Sequence, residues 1–302
     1  MNKAQEPTVR KTLTVATSTS RIPWRALIGL VAVIVAMSVV VLSGQELKHV
    51  PPAAPSFTVL HSFTGGAGGA NPIADLTRDA AGNLYGTTFH GGAESGVCGY
   101  SGNRTCGLVF ELIRCDSGYD FAVLHTFKGG ADGGNPAAGL LRDTGGNLYG
   151  TTYQGGASNG GVVFKLSPSG NETVLYSFTR GADGYAPQAG LIQDKAGNLY
   201  GTTTHGGHQS SACNIAGDST CGVVFKVSPT GTETVLYSFT GGADGGNPAA
   251  GLVQDAAGNL YGTTYGGGAS GNGVVFKVSP TGTQTYSTAS VEERTEQIPW
   301  PV

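Results

Sequence analysis

The heptapeptide Gly-Asn-Leu-Tyr-Gly-Thr-Thr occurs four times in this chain, letter for letter. The copies begin at Gly82, Gly146, Gly197 and Gly258, at intervals of 64, 51 and 61 residues. Repetition at a period near fifty is typical of a repeated supersecondary unit, whereas a catalytic motif is normally present once per site. The repeat therefore predicts an architecture before it predicts a chemistry.

Each copy divides into four short segments of strand-like composition. In the second copy they are Ala138–Asp143, Asn147–Thr152, Gly161–Leu166 and Glu172–Phe178. β-Branched and aromatic residues bounded by Gly, Pro, Asn or Ser predict short strands, and the tight turns between them predict antiparallel neighbours. We expect one four-stranded antiparallel meander per copy.

An Asp-x-x-Gly-Asn sequence joins the first two segments of every copy, with its carboxylate at Asp79, Asp143, Asp194 and Asp255. Such carboxylates are possible catalytic groups. An Asp at this place in a turn also accepts hydrogen bonds from the backbone, while the Gly takes a positive φ. We favour turn capping over catalysis.

The third segment is apolar on both faces. In the second copy its apolar residues are Val162, Val163, Phe164 and Leu166. A sheet that is apolar on both faces must lie between two others. Together with 51 glycines and no Gly at every third position, this predicts an all-β repeat domain over residues 57–288. We expect a four-bladed β-propeller of four-stranded antiparallel blades, preceded by one N-terminal transmembrane helix.

The two ends of the repeat region suggest how such a ring would close. Phe57–Phe63, FTVLHSF, matches the fourth segment ETVLYSF, whereas the last copy ends in the divergent TQTYST at Thr283–Thr288. Exchange of a strand between the chain ends predicts that Phe57–Phe63 completes the sheet begun at Ala250. The alternative is that the chain is a piece of a larger ring.

Four copies of GNLYGTT, each followed by a Gly-x-Val-Phe-Lys/Glu strand, resemble the GloVer tandem-repeat family of exported bacterial proteins. The resemblance covers roughly Phe57–Gly282. It implies a propeller-like, surface-associated protein without an established activity, and it supplies no catalytic residues. The chain departs from the usual pattern because its predicted anchor is N-terminal.

The N-terminal part predicts export. Residues 1–25 are a basic leader, and residues 26–44 contain the uncharged run Ala26–Leu42, about 25 Å long as a helix. We expect a single-pass signal anchor in a bacterial cytoplasmic membrane, with the leader inside and the repeats exported to the periplasm or cell surface. A cleaved signal peptide, giving a secreted protein, and a buried core helix are the alternatives. Residues 45–56 form a Pro-rich linker, and residues 289–302 an irregular tail.

The charge distribution argues against a nucleic-acid partner. Residues 1–25 carry a formal charge of +4, which leaves −7 on the remainder of a chain whose total is −3. An acidic exported domain repels phosphate backbones. The expected partners are the membrane, through residues 26–44, and an extracytoplasmic ligand, either a glycan or a protein. No cofactor is predicted.

The cysteines predict disulfides. Cys98 and Cys106, like Cys213 and Cys221, lie eight residues apart in equivalent loops of the first and third copies. Paired cysteines in an exported chain favour the disulfides Cys98–Cys106 and Cys213–Cys221 over a zinc site. Cys115 is left over, as a buried or unpaired thiol or as an intermolecular partner.

The candidate ligand-binding residues lie in loops on one face of the predicted propeller. Asp132, Asp183 and Asp244 recur in the loops between copies, where they bind Ca²⁺ or a sugar hydroxyl or else cap their own turns. His90 and His205 lie two copies apart and would face one another across a four-bladed ring, as metal ligands or general bases. The alternative is that they are polar loop residues, since Gln154 and Gly266 replace them elsewhere.

These features favour a binding or interaction module, tethered outside the membrane, for a glycan or an envelope protein. Near-identical copies offer repeated loops of similar chemistry, and the signatures Gly-x-Ser-x-Gly, P-loop, Cys-x-x-Cys and His-Glu-x-x-His are absent from the sequence. The alternative is an extracytoplasmic polysaccharide hydrolase or lyase, whose acid, base or metal groups would be those aspartates and histidines.

Overall fold

The computed structural model describes residues 56–286, apart from 93, 95–97, 99–103, 214–216, 281 and 283. The described residues from Thr58 onward belong to one compact unit. Within the described residues no helix has the length and apolar character needed to cross a membrane. The predicted leader, anchor and C-terminal tail, and nearly all of the predicted linker, lie outside the described residues.

Over the residues that the structure describes, the fold is all-β and contains four antiparallel sheets of four strands, one per copy, each with its strands in chain order. Sheet 1 contains β1 Thr77–Arg78, β2 Leu84–Thr88, β3 Leu108–Cys115 and β4 Gly118–Thr126; sheet 2 contains β5 Leu141–Arg142, β6 Leu148–Thr151, β7 Val162–Leu166 and β8 Glu172–Ser177; sheet 3 contains β9 Ile192–Gln193, β10 Leu199–Thr203, β11 Val223–Val227 and β12 Glu233–Ser238; sheet 4 contains β13 Val253–Gln254, β14 Leu260–Thr263, β15 Val275–Val278 and β16 Gln284–Tyr286. The predicted meander is confirmed.

The first strand of each sheet is shorter than predicted. Only Leu141 and Arg142 of Ala138–Asp143 pair with β6. The carbonyl oxygens of Ala138 and Leu140 instead accept hydrogen bonds from the hydroxyls of Thr87 and Thr77, which belong to sheet 1. The segment before β5 therefore joins two sheets rather than extending one ladder.

The turn that opens the repeated heptapeptide is held by the capping Asp. In the second copy, Gly146 has φ 82°. Asp143 accepts hydrogen bonds from Asn147 N at 2.8 Å, from Asn147 Nδ2 at 2.7 Å and from the Tyr149 hydroxyl at 3.1 Å. The equivalent bonds recur at Asp79, Asp194 and Asp255. Turn capping, the favoured interpretation of these carboxylates, is confirmed.

The second glycine of the heptapeptide makes room for a phenylalanine ring. Gly150 pairs with Phe164 of the next strand, and a Cβ on Gly150 would lie 2.6 Å from the Phe164 Cζ. The same distance, 2.6 Å, separates a Cβ on Gly86, Gly201 or Gly262 from the facing ring. The Leu-Tyr-Gly-Thr sequence and the Val-Phe strand therefore fit each other as a pair.

Consecutive sheets pack face to face, and we call each contact a seam, numbered one to three in chain order. In seam two, Tyr149 and Val163 of sheet 2 join one buried cluster with Leu191 and Phe225 of sheet 3. The corresponding residues join sheet 1 to sheet 2, and sheet 3 to sheet 4. Val162, Val163, Phe164 and Leu166 are fully buried, as expected for strands apolar on both faces.

The prediction for Phe57–Phe63 is wrong. This segment forms no strand, and β15 pairs with β16 of its own copy. The ring of Phe63 lies 5.1 Å from that of Phe110 on sheet 1, as Phe127 lies 5.2 Å from Phe164 on sheet 2. Strand pairing uses backbone groups, so the divergent side chains of the last copy do not prevent it.

Both predicted disulfides are confirmed, Cys98–Cys106 and Cys213–Cys221. Their buried sulfurs lie in seams one and three. Cys115 forms no disulfide in the described part of the chain and lies 3.4 Å from the Ser117 hydroxyl. Two disulfides indicate an extracytoplasmic location, because the cytosol keeps thiols reduced.

Candidate functional site

A cavity of about 370 Å³ opens where the second strands of sheets 1 and 2 end. We call it the loop-end cavity; its lining residues are Asn71, Ile73, Phe89, His90, Ala137, Tyr153 and Gln188. The first three copies all contribute to it. It therefore lies on the loop face for which the sequence predicts ligand binding.

The aromatic wall of this cavity comes from the position directly after the heptapeptide. Phe89 and Tyr153 occupy this position in the first two copies, with their ring centroids 6.3 Å apart. Backbone bonds fix both, since Phe89 N donates to Asn71 O at 3.0 Å and Tyr153 N donates to Asn135 O at 3.1 Å. Asn135 Nδ2 also donates to Phe89 O at 2.8 Å across seam one. The two rings thus stand on rigid backbone.

Polar groups lie beside the aromatic wall. The backbone of His90 pairs with Ala70, and its ring stands edge-on to Phe89 at 4.8 Å. His90 Nδ1 is buried and has no hydrogen-bond partner among the described residues. Gln188 Nε2 donates to the Thr204 hydroxyl at 3.1 Å. An apolar wall with a few placed polar groups is the usual composition of a small-ligand site.

The second predicted histidine, His205, does not line this cavity. Its ring stacks on the ring of Tyr185, with the ring centroids 5.2 Å apart. The Arg180 guanidinium lies 4.1 Å from the centroid of the Tyr185 ring. His205 Nδ1 is 4.0 Å from a carboxylate oxygen of Asp218. Burial, with the Arg180 charge, lowers the pKa of His205 below its ordinary value. The structure therefore does not bring the two histidines into one cavity.

The predicted aspartates Asp132, Asp183 and Asp244 cap their own loops. Asp183 accepts hydrogen bonds from Thr179 N at 2.7 Å and from the Tyr176 hydroxyl at 2.9 Å. Asp244 makes the same bonds to Thr240 N and to the Tyr237 hydroxyl, and Asp132 accepts from Lys128 N at 2.8 Å. No group of three or more His, Cys, Asp or Glu in the described part of the chain is placed to hold a metal ion. Turn capping is again the observed role.

Hydrogen bonding keeps Asp183 ionised. Burial alone would raise the pKa of this carboxyl, but the bonds from Thr179 and Tyr176 outweigh it, and the pKa lies below its ordinary value. A carboxylate with a lowered pKa is a poor general acid near neutral pH.

Two glutamates with unusual environments were not predicted from the sequence. Glu172 and Glu233 begin the fourth strands of sheets 2 and 3, and each has a buried Oε1 without a hydrogen-bond partner in the part of the chain that the structure describes. Burial, with the nearby carboxylates of Asp132 and Asp183 respectively, raises the pKa of each glutamate to about 7. A polar residue at the start of an outer strand carries no sequence signal of burial.

Known structures with similar backbones are distant in sequence. A gluconolactonase from Xanthomonas campestris is 15% identical, with a TM-score of 0.40 over 70% of this chain and 60% of its own. A protein from Lactobacillus plantarum is 16% identical, with a TM-score of 0.41 over 74% of this chain and 56% of its own. A protein from Dyadobacter fermentans is 12% identical, with a TM-score of 0.42 over 70% and 67%. The chain thus spans about three fifths of the gluconolactonase.

The repeated sequence identifies the protein family. No curated protein matches this chain. The model of the Gloeobacter/Verrucomicrobia repeat family matches residues 47–214, more than half of the chain. This agrees with the resemblance carried by GNLYGTT and the Gly-x-Val-Phe strand. The chain belongs to the Gloeobacter/Verrucomicrobia repeat family.

Proposed function

We propose that the four sheets are blades of a β-propeller and that the protein is an exported binding module for a glycan. Four-stranded antiparallel meanders that bury both faces against their neighbours are the units from which propellers are built. The loop-end cavity supplies the binding site, and its aromatic wall is the single observation that carries the proposal. In this scheme residues 26–44 tether the module to the cytoplasmic membrane and residues 45–56 space it from the bilayer.

The chemistry of the cavity suits a sugar. The faces of Phe89 and Tyr153 offer flat apolar surface to the C–H groups of a pyranose ring, and the polar groups of His90 and Gln188 offer hydrogen bonds to its hydroxyls. Binding is favoured over turnover because Asp183 and Asp244, which the hydrolase alternative needs as acids or metal ligands, are already hydrogen-bonded as loop caps.

The test is a glycan array probed with the full chain, followed by titration of the sugars that bind. Phe89→Ala and Tyr153→Ala should each weaken binding about tenfold, equivalent to about 1.4 kcal/mol, because each removes a large part of the apolar wall. Tyr119→Ala is the matched control, since Tyr119 lies at the opposite, tight-turn end of sheet 1, near Gly82. Circular dichroism would verify that all three variants are folded.

Two outcomes would contradict the proposal. One is that both cavity variants bind glycans as the native chain does, which would show that the loop-end cavity is not the binding site. The other is that no glycan binds and an envelope protein or peptide does. Turnover of a polysaccharide that disappears in the His90→Ala/His205→Ala double variant would favour the hydrolase or lyase instead.

A further inference from the structure

The three seams use the same residues on each side. The preceding sheet contributes the Tyr of its heptapeptide and the Val directly before the Phe of its third strand, as with Tyr149 and Val163 in seam two. The following sheet contributes the Leu before its first strand and the Phe of its third strand, as with Leu191 and Phe225. We call the side of a sheet that carries the Tyr and the Val its rear face, and the side that carries the Leu and the Phe its front face. Every seam is one rear face against one front face.

One front face and one rear face have no such neighbour among the described residues. Leu76, on the front of sheet 1, is 51% exposed, whereas its counterparts Leu140, Leu191 and Leu252 are 5%, 5% and 4% exposed. Val275, on the rear of sheet 4, is 66% exposed, whereas Val109, Val163 and Val224 are completely buried. Ile73 beside Leu76 and Tyr265 beside Val275 are also exposed, by 63% and 74%. Phe110, the other residue of the front face of sheet 1, is 2% exposed because it packs against Phe63, as Phe164 packs against Phe127 within seam one. The exposed parts of the two faces therefore match the two halves of a seam.

The hydrogen bonds of the seams are complementary in the same way. In seam one, Asn135 donates from its backbone N to Cys106 O at 2.6 Å and from Nδ2 to Phe89 O at 2.8 Å. In seam three, Asn247 donates in the same way to Cys221 O at 2.7 Å and to Thr204 O at 2.9 Å. On the open front face the equivalent donor is Asn71, which is exposed. On the open rear face the equivalent carbonyls are those of Asn272 and Tyr265.

We propose that a second copy of this chain occupies these faces: the rear of sheet 4 in one chain packs on the front of sheet 1 in the other. Two such contacts, related by a two-fold axis, close a ring of eight sheets. A head-to-tail contact forms a closed ring when its rotation completes the circle, and eight blades lie within the usual range for propellers.

A second copy fits better than closure within one chain. Phe57–Phe63 was the segment expected to fasten a four-sheet ring, but the edge of β15 is already paired with β16. Tyr265 follows the fourth heptapeptide as Phe89 and Tyr153 follow the first two. The proposed contact places Tyr265 beside Ile73 of the other chain. There Tyr265 extends the aromatic wall of the loop-end cavity.

Crosslinking tests the contact directly. Full chains carrying Leu76→Cys and full chains carrying Val275→Cys, with different affinity tags and both with Cys115→Ser, are purified in mild detergent, mixed, and treated with a short bis-maleimide. We expect a covalent pair that contains both tags. Either variant alone should give no such pair, because in a head-to-tail contact a front face meets only a rear face.

A chain that carries both cysteines separates the alternatives. The proposal predicts crosslinked species of two chains. A crosslink confined to one chain would show closure within the monomer and overturn the proposal, as would pairs formed by either single variant alone.

The native interface is tested by substitution without crosslinking. Val275→Asp should weaken self-association, followed by mass photometry across a dilution series, by at least tenfold, whereas Ile113→Asp, on the exposed end of the β3–β4 hairpin, should leave it unchanged. Both residues are exposed in the single chain, so neither change should prevent folding. A native chain that is monomeric at every concentration, or that grows into open filaments, would overturn the proposed ring.

Discussion

At the scale of single residues, most letters of the repeated heptapeptide make a specific contact. In the second copy its first Gly makes the turn, its Asn and Tyr bond to Asp143, and its second Gly leaves space for the ring of Phe164. The hydroxyl of its last Thr donates to Gln154 O and accepts from Val162 N. Few substitutions satisfy all these contacts at once, so identical letters recur.

Gly150→Ala tests the most restrictive of these contacts. The new Cβ would lie 2.6 Å from Phe164 Cζ and 3.0 Å from Leu140 Cδ2, both in the buried core. Overpacking of this kind should lower the free energy of unfolding by about 1–3 kcal/mol. Gly130→Ala is the control, because a Cβ there has nothing within 4 Å. Urea denaturation of both variants measures the difference, and equal midpoints would show that the ring gives way freely.

Glu233 makes stability depend on pH. Its pKa is raised to about 7 by burial and by the Asp183 carboxylate, from an ordinary value of 4.5. Since the folded-state pKa exceeds the unfolded one, the protonated group stabilises the fold; this contribution is complete below about pH 4.5 and is lost as the pH rises to about 7.

Glu233→Gln removes this titration, so the stability of the variant relative to the native chain should increase between pH 5 and pH 8. Melting temperatures of both proteins at the two pH values measure the effect. Asp120→Asn, a change to an exposed carboxylate of β4, should show no such trend. A native-to-variant difference that stays constant with pH would mean that Glu233 ionises as in the unfolded chain.

At the scale of elements, the long loops and the loops between copies are matched across each seam. A Cβ on Gly134 would lie 2.6 Å from Cys98 Sγ, and one on Gly246 would lie 2.6 Å from Cys213 Sγ. Seam two has no disulfide, and there Tyr185 stands at the equivalent position, between Arg180 and His205. Glycine thus accompanies a disulfide, and tyrosine stands at the same position in the seam without one.

Removal of one disulfide tests how much it holds its seam. Cys98→Ser combined with Cys106→Ser opens a loop closed over a separation of eight residues, which should lower the free energy of unfolding by about 2–3 kcal/mol from chain entropy. Loss of the buried sulfurs from seam one adds to this. Cys115→Ser should be neutral. If native protein unfolds at the same guanidinium concentration with and without reductant, the disulfides do not stabilise the fold.

At the scale of the whole molecule, periodicity was sufficient to predict the four meanders, because strand composition and turn chemistry are local properties. The Val-Phe strand also predicted its burial on both faces, because apolar residues on both sides of a strand need two neighbours. The short first strands were not predictable, since the carbonyls of Ala138 and Leu140 bond to hydroxyls more than fifty residues away in the chain.

The candidate site was predicted only as a face. Its aromatic wall had a signal, since the position after the heptapeptide is Phe89, Tyr153 or Tyr265 in three of four copies. Gln188 had none, because its place in the cavity depends on how three sheets are arranged. The path of Phe57–Phe63 was missed for a similar reason. Phe63 packs on Phe110 as Phe127 packs on Phe164, but likeness to a fourth strand does not say whether a segment pairs with a sheet.

Glycine lies beside the disulfide in seams one and three, and Tyr185 takes its place in seam two, which has no disulfide. This pairing limits how the copies can be exchanged during evolution of the gene. Copies one and three carry the cysteine-bearing loop, and the copies that follow them carry the permissive Gly134 and Gly246. Recombination that moved a single copy would set a tyrosine against a cystine, where even a Cβ on Gly134 or Gly246 lies 2.6 Å from a cysteine sulfur. An exchange of two successive copies keeps every junction intact, so genes of this type should lengthen or shorten two units at a time.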